Sequence, residues 1–130
     1  MRGPYRQTMD EDNVLSFVRA TIRSAWSLEL LLLMRRSSRA TWSVDALVRE
    51  LRGSPALVVE SLGALESAGL VVAADNGECV YRPQTPQLEE AVDALAELYA
   101  SKPLTVLHTI FTTPSAKIRS FSDAFLFKKK

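Results

Sequence analysis

Cysteine and histidine are almost absent from these 130 residues: Cys79 and His108 each stand alone. One cysteine excludes an internal disulfide and suits a reducing compartment. A metal site needs several Cys, His or acidic groups at ligand spacing, which two isolated residues do not supply. His108 sits among Leu107, Thr109 and Ile110, the setting of a packed histidine rather than a general base. There is no glycine-rich phosphate loop. Glu89, Glu90, Asp93 and Glu97 read as a solvated helix face, not a catalytic pair. The sequence therefore predicts no enzyme activity and no cofactor. No apolar run reaches the roughly 18 residues that span a bilayer. The opening Met1-Arg2-Gly3-Pro4-Tyr5 lacks an apolar signal core. A bacterial cytoplasmic address without membrane insertion is the expectation. The net charge of +1 leaves no global field to attract nucleic acid.

What is present is ordinary globular material, 47% hydrophobic and 24% charged, sized for one domain. Its information is concentrated between Ser43 and Arg82. Ser43 can cap a helix whose Val44, Leu47, Val48 and Leu51 share a face. Gly53 then supplies a stop, because glycine enters the left-handed region cheaply. Ser54 caps the next helix, with Pro55 at its first position, where a missing N–H costs nothing. Val58, Leu62 and Leu65 form that helix's inward stripe. Two helices joined this tightly make a helix-turn-helix. Val71-Val72 and Val80-Tyr81 are β-prone, and Asp75-Asn76-Gly77 between them is a hairpin signal.

This order resembles the winged helix-turn-helix of bacterial transcriptional regulators, broadly of the MarR, PadR and ArsR-like kind. Leu47, Leu51, Ser54, Leu62, Leu65, Glu66, Gly69, Leu70 and Val71 carry the resemblance. The run Leu65-Glu66-Ser67-Ala68-Gly69-Leu70-Val71 is typical of a recognition helix entering its wing. The resemblance spans about forty residues and implies a mainly α fold with a small β-wing, with additional N- and C-terminal helices. The expected organisation is an arm over 1–12 and a single winged-helix domain over 13–130. Within that domain, the helix-turn-helix covers 43–68, the wing 70–82 and the C-terminal helices 85–127.

Before the motif, Asp12 or Asn13 can cap a helix with Val14, Phe17, Val18, Ile22 and Ala25 inward. Ser27 reads as the next cap, with Glu29 in the first turn. Leu30 to Met34 is apolar on every side, as in a buried helix. Thr41-Trp42 offers a short extra strand. After the motif, Thr85-Pro86 opens a helix that Lys102-Pro103 ends. A second apolar segment runs from Leu104 to Phe111, stopped by Pro114. Ile118, Phe121 and Phe125 follow at helical spacing, before Lys128, Lys129 and Lys130.

Two functions compete. The resemblance implies a small homodimeric regulator that binds double-stranded DNA. Its contacts would come from Arg35, Arg36, Arg39, Arg49, Arg52 and Arg82 on phosphates, with Arg2 and Arg6 of the arm as auxiliaries. The outward face of the second motif helix is Ala56, Glu60, Gly63, Ala64 and Ser67. None of these is basic, and from Ser43 to Gln84 three arginines face six carboxylates, a balance of −3. The alternative is a winged-helix protein-interaction module whose small-residue face meets a protein partner. Homodimerisation is expected through the stripe Leu88, Val92, Leu95 and Tyr99, joined by Val106, Leu107, Ile110 and Phe111. The competing reading is that the N-terminal helix covers those residues as core.

Overall fold

In the computed structural model, the described residues are 10–112 except 38, 39 and 75. Six helices lie among them: α1 (Glu11–Thr21), α2 (Ala25–Arg36), α3 (Val44–Leu51), α4 (Pro55–Ser67), α5 (Pro86–Ser101) and α6 (Pro103–Thr112). Between α4 and α5, strands β1 (Val71–Ala73) and β2 (Cys79–Tyr81) form a two-stranded antiparallel sheet. Val71 pairs with Tyr81, Val72 with Val80 and Ala73 with Cys79. Trp42 adds one isolated bridge to Cys79, closed by N–H···O bonds of 2.8 Å in both directions. The extra strand expected at Thr41-Trp42 is thus a single rung.

Local chemistry places most boundaries. The hydroxyls of Ser43, Ser54 and Thr85 accept from the backbone N–H three residues on, each at 3.1 Å. Caps of this kind stabilise a helix by about 1 kcal/mol each. Two expected caps are displaced by a turn's edge. Asp10, not Asp12 or Asn13, caps α1, its Oδ1 accepting from Asn13 N–H at 2.9 Å. Residues 10–12 therefore belong to the helix end, not to an arm. Ser24, not Ser27, caps α2, and Ser27 is the donor in that bond at 3.1 Å. Glu29 consequently lies beyond the first turn, where it accepts from the Tyr99 hydroxyl at 3.0 Å.

The turn between α3 and α4 differs in mechanism from the expectation. Arg52, not Gly53, holds the left-handed conformation, with φ 57° and ψ 36°. Room at Gly53 is tight: a Cβ there would lie 3.1 Å from the six-membered ring of Trp26, so the indole would have to give by a few tenths of an ångström. The glycine lets the turn close onto α2.

Leu28, Leu30, Leu31 and Met34 of α2 are fully buried and anchor the core. α4 lies across α2, with α3 against α4, while α1 packs on α5 and α6. One core thus joins α3 and α4 to α1, α5 and α6. At the sheet end, Tyr81 is buried and its hydroxyl has no hydrogen-bond partner. Burial, then Asp93 and Glu89 against the opposing Arg35, push its phenol up to about 12. The neutral phenol is thus favoured on folding. That contribution is whole below pH 10 and is lost as pH rises through about 12. Tyr81→Phe, which removes an unsatisfied buried hydroxyl, should leave stability at pH 7 unchanged or raised by up to about 1 kcal/mol. Melts recorded from pH 7 to 12 should show a shallower alkaline decline than in the parent. An equally steep decline would assign that limb to other groups.

Candidate macromolecule-binding surface

α4 is the helix whose outer face decides what this fold could hold. Its inner side is Val58, Ser61, Leu62 and Leu65, all buried. Ala56, Glu60, Gly63, Glu66 and Ser67 are exposed, and Ala64 is half-buried. Two residues not singled out by sequence reasoning join them: Val59, 55% exposed, and Leu57. The signal for them was available, because four consecutive apolar residues, Ala56 to Val59, cannot all point inward on a helix. The exposed surface of α4 is therefore apolar and small, with carboxylates and no cation.

Beside it runs an open groove of about 440 Å³ between α4 and the α1–α2 junction. Trp26, Leu57 and Ala64 line it with apolar surface, Gly63 leaves it open, and Arg23 and Glu60 stand on its wall. Arg23 faces outward, as the periodicity of the N-terminal segment predicts, whereas Trp26, just inside the start of α2, was not legible as part of this surface.

The candidate phosphate ligands are dispersed around this face rather than gathered on it. Arg35 is engaged by Asp93 of α5, its Nε 2.9 Å from Oδ1. Arg36 is exposed at the end of α2, and Arg39 lies outside the described residues. Arg49 and Arg52 are exposed on α3 and at its end, and Arg82 is exposed after β2. The described part of the loop between β1 and β2 offers Asn76, Gly77 and Glu78. Asn76 Oδ1 accepts from Glu78 N–H at 3.0 Å, and Gly77 turns the chain with φ +86°. No family model, curated protein or solved structure matches this chain. The surface has to be read from its own chemistry.

Charge sharpens that reading. Residues 10–112 hold nine Lys and Arg against fourteen Asp and Glu, a balance of −5. Residues 1–9 and 113–130 carry seven cations against one acid, a balance of +6. The near-neutral total therefore conceals an acidic body between basic terminal segments. A polyanion approaching α4 meets an unfavourable field from the body itself.

Among the described residues, no group of three or more His, Cys, Asp and Glu could hold a metal ion. Cys79 is buried in β2, and burial, then Glu66, pushes its thiol up and away from the reactive thiolate. Among the same residues, no helix is long and apolar enough to cross a membrane.

The residues expected at a twofold interface divide. Val92, Leu95, Val106 and Ile110 are buried within the single chain, where α1 covers α5 and α6. Leu88, Tyr99 and Leu107 are half-buried against the same core. Phe111 alone of that set is strongly exposed, at 71%, and Leu104 one heptad earlier is 79% exposed. The covering by the N-terminal helix, the competing reading from the sequence, is the arrangement observed.

Proposed function

We propose that this chain is a non-enzymatic interaction module on a winged helix-turn-helix scaffold, and that α4 docks a protein. The cation-free, apolar outer face of α4 carries this reading. A helix that enters a major groove offers Arg, Lys, Asn or Gln to base edges, with cations close by for phosphates. Here the equivalent positions are Ala56, Val59, Glu60, Gly63 and Ser67. Apolar surface bordered by small residues and carboxylates suits a protein helix with apolar side chains and a basic flank, which the −5 body would attract.

The second reading is the homodimeric DNA-binding regulator. One observation favours it: Arg49 and Arg52 are both exposed beside the turn that leads into α4. Replacing Val59 with a photo-crosslinking amino acid in living cells separates the two. Protein docking should give a defined adduct that protease destroys and nuclease spares. Gly63→Leu, whose added Cβ meets nothing within 4 Å inside the chain, should cut that adduct more than about tenfold without lowering the melting temperature. An adduct that nuclease destroys would establish the DNA reading. Absence of any adduct, or one indifferent to Gly63→Leu, would remove α4 as a docking face.

A further inference from the structure

The groove beside α4 holds a polar group that nothing among the described residues satisfies. Ser61 stands in the middle of α4, is only 5% exposed, and lines this groove. A buried hydroxyl on a helix can donate to the carbonyl four residues back, as Thr109 does to Thr105 O at 2.9 Å. The Ser61 hydroxyl makes no hydrogen bond among the described residues. Ser24 and Ser27, which line the same groove, do have each other, with Ser24 Oγ donating to Ser27 Oγ at 3.3 Å. Ser61 is left to bond whatever enters.

The walls around it are apolar. Leu57 and Ala64, four residues before and three after Ser61, share its face of α4. Trp26 is half-buried, with the turn at Gly53 standing close against its ring. At about 440 Å³ the groove falls within the roughly 300–1,000 Å³ of sites that enclose small ligands. One large ring fits there with its polar edge inward.

The polar groups narrow the choice. A purely apolar side chain would seal off the Ser61 hydroxyl without a partner, at a cost of roughly fivefold or more in affinity. A carboxylate would meet Glu60 on the same wall and the acidic body behind it. An indole brings only a donor. A phenol both donates and accepts, so it can serve Ser61 while accepting from Arg23, whose guanidinium has donors alone. Leu57, Gly63 and Ser67 belong both to the groove and to the exposed surface of α4. A basic-flanked helix drawn onto that surface by the −5 body would therefore pass over the groove's mouth.

We propose that this groove is the specificity pocket of the α4 surface and takes a tyrosine of the docked partner, its phenol bonded to Ser61 Oγ. This rests on the reading of α4 as a protein-docking face.

The pocket is tested without a partner, on the full chain, with p-cresol and toluene. The first is the tyrosine side chain in isolation, and the second is the same ring without its hydroxyl. In spectra of isotope-labelled protein, p-cresol should shift the Trp26 indole N–H and the Ser61 and Ala64 amides. It should bind about fivefold or more tightly than toluene, the worth of one net hydrogen bond. Ser61→Ala removes an unpartnered hydroxyl, so it should bring the two affinities within about twofold without lowering the melting temperature. No shift at these groups, no preference over toluene, or a preference that survives Ser61→Ala would overturn the pocket, whether or not α4 docks a protein. The partner is tested through the adduct formed at position 59 in cells. Its cross-linked segment should contain a tyrosine whose change to phenylalanine lowers the adduct about fivefold or more. An adduct without such a tyrosine, or no adduct, alongside selective p-cresol binding would assign the groove to a free phenol and overturn the assignment to a partner.

Discussion

Leu95→Asp should abolish the cooperative melt of this protein, not merely divide a dimer. Leu95 is fully buried in the middle of α5, with Val92 and Ala91 buried beside it and α1 packed over them. Substitution removes a core side chain, which alone costs about 2–5 kcal/mol. It also places a carboxylate in a fully buried position, adding several kcal/mol or forcing its protonation. Together these approach the roughly 5–15 kcal/mol by which a domain of this size is stable. Far-UV circular dichroism should show lost helicity or a melt lowered beyond 15 °C. Phe111→Asp, placed on an exposed side chain, should change stability by no more than about 1 kcal/mol. If Leu95→Asp stayed helical and simply sedimented as a smaller species, α5 would be an intermolecular surface and the covering by α1 would be wrong.

The contrast between Leu95 and Phe111 also shows what one sequence can and cannot disclose. The caps at Ser43, Ser54 and Thr85 are set by contacts three residues long, and local pattern finds them. The same logic slips at Ser24 and Ser27, where donor and acceptor are both serines and either could cap. Pairing of Val71-Val72 with Val80-Tyr81 follows from two β-prone runs around a turn. Which surface of α5 and α6 is covered depends on α1, eighty residues away, and periodicity carries no information about distant partners. Gly53 is instructive for the same reason. A glycine at a helix end implies a left-handed turn, yet what Gly53 meets closely is Trp26, far back in the chain. The outer face of α4 was half legible: the sequence named Glu60, Gly63 and Ser67, while the exposure of Val59 and the groove beside Trp26 needed the packing.

Gly69→Val should be the most damaging single change near the sheet, lowering stability by about 2–4 kcal/mol. Two hydrogen bonds of 3.0 Å close α4 around this residue, Gly69 N–H to Glu66 O and Leu70 N–H to Leu65 O. That pattern needs a left-handed residue past the helix end, and Gly69 has φ +81°. A β-branched side chain is especially poor there. Space is short as well: a Cβ at Gly69 would stand 2.7 Å from Gln84 Oε1 and 3.4 Å from Gln84 Cβ. The side-chain amide of Gln84 could swing away, but its backbone could not follow freely. Gln84 N–H donates to Gly69 O at 2.8 Å, and Arg82 N–H donates to Leu70 O at 3.0 Å. These bonds hold the exit of β2 against the end of α4, so strain at Gly69 should pass directly into the pairing of β1 with β2. Gly63→Ala is the matched control, a glycine inside an exposed helix face with nothing within 4 Å of the added carbon. It should raise stability by about 0.5–1 kcal/mol. Thermal melts of the two variants should therefore move in opposite directions, and amide exchange in Gly69→Val should accelerate first at Val71–Ala73 and Cys79–Tyr81. Equal melts for Gly69→Val and the parent would mean that the chain relaxes around position 69, and that α4 and the sheet are not coupled through this turn.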